Sequence, residues 1–73
     1  MAKVATNGET VLEVGDEVEV DRSSSVRSYG RNVWINRGDR GVVEAVWNTS
    51  TVEVRFPGAE TTLVVSTRDL VLL

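Results

Sequence analysis

Val18 and Val20 alternate with Glu17, Glu19 and Asp21, and further on Val52, Val54 and Phe56 alternate with Glu53 and Arg55. A period of two puts successive side chains on opposite faces of an extended chain, so both stretches predict strands with one face buried and one wet. The first patterned segment spans Val11 to Asp21, with Gly15-Asp16 marking a turn inside it. Gly41 to Trp47 predicts a second strand, Asn48 to Ser50 a tight turn, and Thr51 to Phe56 a third strand. Pro57-Gly58 reads as another tight connection, Thr61 to Val65 as a fourth strand, and Leu70 to Leu73 as a fifth. Ser66-Thr67-Arg68-Asp69 carries the hydroxyls and carboxylate that suit the cap of a single helical turn between the last two.

Two stretches lack this alternation. Residues 1–10 form a polar series without periodicity, expected as a flexible tail preceding a domain over 11–73. Arg22 to Arg40 is dominated by Ser23-Ser24-Ser25, Gly30, Asn32, Asn36 and Gly38, and predicts a long first loop in which Val33-Trp34-Ile35 forms a short internal strand or an anchor.

Composition strengthens the all-β expectation. Fifteen of the 73 residues are Val and only five are Leu, and β-branched side chains pack well on a pleated surface while losing freedom in helices. A chain of this length buries only about 60% of the surface its unfolded form exposes, so there is no material for a second core. Short strands with open edges invite aggregation, which favours a small closed barrel. The expected architecture is therefore a five-stranded barrel with a long first loop and one helical turn before the last strand.

Catalysis and metal binding find little to work with. The chain has no Cys and no His, which removes disulfides, thiolate chemistry, the commonest general base and the commonest metal ligand. No catalytic residue, metal ligand or cofactor is expected, and the row Glu17, Glu19, Asp21 reads as a solvated strand face. Arg37-Gly38-Asp39 and Asn48-Thr49-Ser50 match short recognition patterns but are ordinary turn chemistry. Met1 to Thr10 has one positive charge and no apolar run of the kind a signal peptide or membrane span needs, so a soluble cytoplasmic protein without membrane contact is expected.

Charge placement singles out one region. Residues 22–40 hold Arg22, Arg27, Arg31, Arg37 and Arg40 against Asp39, a net of +4, while the rest of the chain nets −7. Arginine offers a planar fork suited to carboxylate, phosphate or an aromatic face, and Tyr29, Trp34, Asn32 and Asn36 lie among these five. The candidate partner-binding set is Arg27, Tyr29, Arg31, Asn32, Trp34, Arg37, Arg40 and Trp47. The competing reading pairs the arginines with Glu17, Glu19 and Asp21 across the loop, while Trp34 plugs the end of the barrel.

Gly15-Asp16-Glu17-Val18-Glu19-Val20, Arg37-Gly38-Asp39-Arg40-Gly41-Val42-Val43-Glu44-Ala45-Val46 and the closing Ser66-Thr67-Arg68-Asp69-Leu70-Val71 resemble SH3-like barrels, in particular the KOW and Tudor-type branch, over roughly residues 11–73. The spacing of Gly41, Val43 and Val46 is similar to that of a KOW segment, and its step of three breaks strict alternation as a bulge would. The resemblance implies contact with RNA or with another protein, and small accessory subunits of larger complexes look similar at this level. Two functions follow as expectations. The first is a noncatalytic module, a protein-interaction or small accessory or inhibitor domain, that grips an acidic protein surface; an acidic chain rich in loop arginines and aromatics favours it. The second is a contact to RNA or single-stranded nucleic acid.

Overall fold

A computed structural model of the chain describes residues 3–4 and 10–73. The described residues are all-β, with strands at Lys3–Val4 (β1), Thr10–Val11 (β2), Glu17–Val20 (β3), Ser24–Ser28 (β4), Arg31–Ile35 (β5), Arg40–Asn48 (β6), Thr51–Arg55 (β7), Leu63–Ser66 (β8) and Leu70–Leu72 (β9). A 3-10 turn at Thr67–Asp69 joins the last two, as expected, with the Ser66 hydroxyl accepting from the Arg68 amide. The tail expected over 1–10 lies largely outside the described residues; the parts that are described, β1 and β2, pair antiparallel with each other.

One five-stranded antiparallel sheet runs in the order β8-β7-β6-β3-β9. Its two outer strands, β8 and β9, are consecutive in the chain and separated by three residues. A flat sheet of five strands spaced about 4.8 Å apart would hold its outer strands about 19 Å apart. A 3-10 turn rising about 2 Å per residue cannot cover that distance, so the sheet coils around its own inner face.

That inner face is the core: Val18, Val20, Val43, Val52, Val54 and Val65 are essentially without solvent contact, joined by Leu12, Val26, Ile35, Phe56 and Leu70. All but Leu12, Val26 and Ile35 lie in strands or turns whose alternation or ending was plain from the sequence, and Val52, Val54 and Phe56 point inward as the period-two pattern requires. Gly41 faces inward between them. A Cβ there would stand 2.6 Å from the Arg55 carbonyl oxygen and 2.6 Å from a Val54 methyl, so only glycine lets β6 lie this close to β7.

Two expectations need correction. The sheet is not closed: among the described residues no ladder joins β8 to β9, and the body comprises seven strands, five in the sheet and two in a separate ribbon. The long first loop is that ribbon, a regular antiparallel hairpin of β4 and β5 paired over five positions. It lies with β4 against β8, so the outer side of β8 is covered by the ribbon and does not face β9. The hairpin escapes a reading by hydrophobic alternation because its inward positions on β4 are Ser24, Val26 and Ser28. The serines serve as hydrogen-bonding groups. Ser24 donates to Asp69 at 3.4 Å, and buried Ser28 accepts from the Val64 amide of β8 at 3.1 Å.

The turn chemistry follows the sequence closely. Pro57-Gly58 forms a tight turn in which the Ala59 amide donates to the Phe56 carbonyl, with Gly58 at positive φ as the second turn position requires. Asn48 accepts from both the amide and the hydroxyl of Ser50, closing the β6–β7 hairpin.

Candidate recognition surface on the β4–β5 ribbon

Pairing decides which side chains of the ribbon share a face. Val26 lies opposite Val33, and Ser24 opposite Ile35, facing the core. The opposite face carries Ser25 across from Trp34 and Arg27 across from Asn32, all four exposed. Trp34 therefore sits diagonally from Arg27 on the solvent side of one narrow ribbon, within reach of long side chains. Its indole nitrogen donates to the Asn36 side chain at 2.9 Å, and its ring is 61% exposed, so it does not plug the end of the sheet.

Tyr29 and Gly30 form the two-residue turn at the ribbon's tip, with φ of 48° and 79°. Positive φ at both positions is the hairpin turn that matches strand twist, and its first position ordinarily takes Asn, Asp or Gly. A tyrosine held there is costly backbone, retained because the surroundings hold it in place. The holding group is Glu53 on β7: the Tyr29 hydroxyl donates to Glu53 Oε1 at 2.8 Å.

Glu53 also receives two further side chains. The Trp47 indole nitrogen donates to Oε2 at 2.7 Å, and the Thr62 hydroxyl donates to Oε1 at 2.6 Å. Trp47 reaches it because the β6–β7 register slips between Val43 and Ala45 and again between Val46 and Asn48, leaving Glu44 and Trp47 as extra residues on β6. The break in alternation between Val43 and Val46 is thus a bulge at Glu44, and a second bulge, past Val46, re-aims the Trp47 indole across the strand. Hydrogen bonds from Thr62, Trp47 and Tyr29, in that order of effect, favour the ionised form and hold the Glu53 carboxyl below its ordinary range. The same contact raises the Tyr29 phenol, because its hydrogen bond to Glu53 and the nearby negative charge both oppose its ionisation. Glu53, expected as a plain solvent-facing residue, is half-buried and organises the tip.

The arginines divide into two groups. Arg22 is bound to Asp69 at 3.1 Å, and Arg40, at the start of β6, to Glu19 at 3.0 Å. Arg40 is therefore committed to the neighbouring strand, away from the ribbon tip. Arg27, Arg31 and Arg37 make no ion pair among the described residues. Arg27 stands on the ribbon's outer face and Arg31 beside the tip. Arg37 stands in the turn at its base, where the Arg37 amide donates to the Ser23 hydroxyl and ties the two ends of the hairpin together. The competing reading, in which Glu17, Glu19 and Asp21 neutralise the arginines, holds for Arg40 alone; Arg22 is held by Asp69 instead, and Arg27, Arg31 and Arg37 have no ion pair among the described residues.

Beneath the tip lies an open cleft of about 590 Å³. Tyr29, Arg31, Asn32 and Val33 form its ribbon wall, and Arg55, Glu60 and the segment Thr61 to Leu63 form the other. Arg55 is already gripped at two points by Glu44. Of the eight expected residues, Tyr29, Arg31 and Asn32 meet at the cleft and Trp47 joins them through Glu53; Arg27 and Trp34 form the outer face, Arg37 marks the base, and Arg40 stands apart. Glu53, Thr62 and Glu60 were missed. Single strand residues carry no local sign that a hairpin 24 positions earlier will fold onto them. In comparisons with protein-family models, curated proteins and solved structures, nothing matches this chain.

Proposed function

We propose that this chain is a noncatalytic recognition module of the SH3-like kind, which grips an acidic segment of a protein partner with the solvent-facing side of its β4–β5 ribbon. The fold part of this reading is supported by topology: a long excursion between the first and second strands of the main sheet, and outer strands joined through one 3-10 turn. The functional part rests on one observation. Arg27, Arg31 and Arg37 stand without a carboxylate among the described residues, on the same hairpin as exposed Tyr29 and Trp34. Arginine and exposed aromatics together are the residue types that dominate binding energy at protein interfaces.

An acidic protein segment suits this surface better than a nucleic acid. The remainder of the chain nets −7, and Glu53 and Glu60 stand at the tip and in the cleft, so a phosphate backbone tracking along the ribbon would meet carboxylates at its end. Nucleic-acid affinity built on phosphate contacts also falls steeply with salt, which gives the test. A poly-glutamate peptide and an oligo-uridylate of matched charge are titrated in turn while tryptophan fluorescence is followed. The peptide is expected to bind saturably, and the variant Arg27→Glu/Arg31→Glu/Arg37→Glu to lose that binding with an unchanged circular dichroism spectrum. Tight, salt-sensitive binding of the oligo-uridylate would replace this reading with the RNA-contact one. Undiminished peptide binding by the triple variant would remove the ribbon from either.

A further inference from the structure

Resting on the recognition reading above, we infer that the free edge of β5 receives the partner's acidic segment as an added β-strand. The argument begins with hydrogen-bond bookkeeping in the ribbon. Ser28 and Arg31 flank a two-residue turn, so they form a hydrogen-bonded pair. In an antiparallel ladder such pairs alternate with non-hydrogen-bonded ones, which makes Arg27–Asn32 and Ser25–Trp34 the non-bonded pairs. The backbone N–H and C=O of Asn32 and Trp34 therefore point away from β4, toward the ribbon's outer edge. Among the described residues no strand pairs with that edge, and neither backbone amide donates to a side chain or a loop carbonyl.

Edge strands are ordinarily blunted by charged side chains, by proline, by bulges, by brevity or by a covering element. β5 has only the first, in Arg31, which repels a cationic strand and attracts an acidic one: Arg31-Asn32-Val33-Trp34-Ile35 runs five residues without proline, in unbroken register, and is rich in strand-forming side chains. The other edges of the body differ. The outer side of β8 is covered by β4, and β9 has only three residues. An extended peptide laid along β5 would gain main-chain hydrogen bonds from Asn32 and Trp34, while its alternating side chains give selectivity.

Charge selects the occupant. Side chains of the added strand on the solvent side would lie beside Asn32 and Trp34, with Arg27 one strand further in and Arg37 just past the end. Those on the other side would meet Arg31 and then Val33 at the mouth of the cleft, with Glu60 across it. Arg31 on the edge itself, Arg27 on the neighbouring strand and Arg37 just past the end, all without ionic partners among the described residues, call for carboxylates. A second copy of this chain suits the edge poorly, because antiparallel pairing of two β5 strands would bring both sets of arginines together. The chain's own acidic strand, β3, is already paired on both sides, to β6 and to β9.

The test uses the intact chain and a random dodecapeptide display library. The enriched peptides are expected to carry net negative charge and to lose binding to the Arg27→Glu/Arg31→Glu/Arg37→Glu variant. In a synthetic copy of an enriched peptide, N-methylation at alternate amides is expected to weaken binding about tenfold or more, with the intervening amides tolerant, since each lost hydrogen bond costs roughly one decade. The Asn32 and Trp34 amides, fast to exchange in the free protein, should become at least tenfold slower in the complex. Acidic peptides that bind through the arginines yet tolerate N-methylation at every position would sink strand addition and leave the recognition reading intact. Failure to enrich acidic peptides at all would sink both. A peptide-free dimer that protects Asn32 and Trp34 would assign the edge to a second copy and overturn the inference.

Discussion

Glu53 collects donors from three parts of the chain: Tyr29 from the hairpin tip, Trp47 from the bulge in β6, and Thr62 from the approach to β8. Its carboxyl titrates below the ordinary range in the folded state, so the stability it contributes is present above the unfolded-state pKa and is lost as pH falls through the lowered folded value. Trp47 fluorescence is accordingly expected to change on acidification through and below the usual carboxylate range. Glu53→Gln should flatten that transition, because an amide cannot accept on both of its terminal atoms. Tyr29 is the chain's one tyrosine, so absorbance near the phenolate band reads it alone. The phenol should titrate above its ordinary value, and Glu53→Gln should bring it back down. An unaltered tyrosine titration in that variant would mean that Glu53 does not hold the ribbon tip.

At the scale of elements, two contacts carry specific expectations. Gly41→Ala would drive a methyl into the Arg55 carbonyl and Val54, and should destabilise the fold by about 1–3 kcal/mol in urea denaturation, as overpacking typically does. Ser28→Ala would leave the half-buried Val64 amide of β8 without its acceptor, at a cost of about 1 kcal/mol, and should loosen the ribbon from the sheet. Hydrogen exchange at Val64 reads that loosening directly.

These two residues also show where the sequence speaks and where it is silent. Strands β3 and β7 announce themselves because their buried faces are valines at a spacing of two, and the 3-10 turn announces itself through Ser66 and Asp69. The ribbon does not, since β4 faces the protein with Ser24 and Ser28, whose purpose is visible only once Asp69 and Val64 are beside them. The same holds for the recognition surface. An arginine-rich, aromatic segment is legible from composition, but which arginines remain unpaired depends on Asp69 and Glu19 arriving from strands and turns remote in the chain. Closure of the barrel does not follow from the pattern, which gives the number of strands in the main sheet and says nothing of what lies along its edges.

For the molecule as a whole, the distribution of charge matters more than its sum. A net charge of −3 describes the chain poorly when residues 22–40 carry +4 against −7 elsewhere. Exposed charges are screened beyond about 10 Å at 0.1 M salt, so the acidic remainder repels a carboxylate ligand mainly at low ionic strength, while the arginines act at contact distance. Association with poly-glutamate is therefore expected to depend on salt only moderately, and charge reversal at Arg27 and Arg31 to weaken it far more than reversal at Arg40, which Glu19 already holds. The direct measurement is a titration of isotope-labelled protein with poly-glutamate, followed amide by amide by NMR. The account predicts shifts concentrated in residues 25–37 and in the indole signal of Trp34, with β3 and β9 unmoved. Shifts centred on β9 or on the Arg40–Glu19 pair, with the ribbon silent, would contradict it.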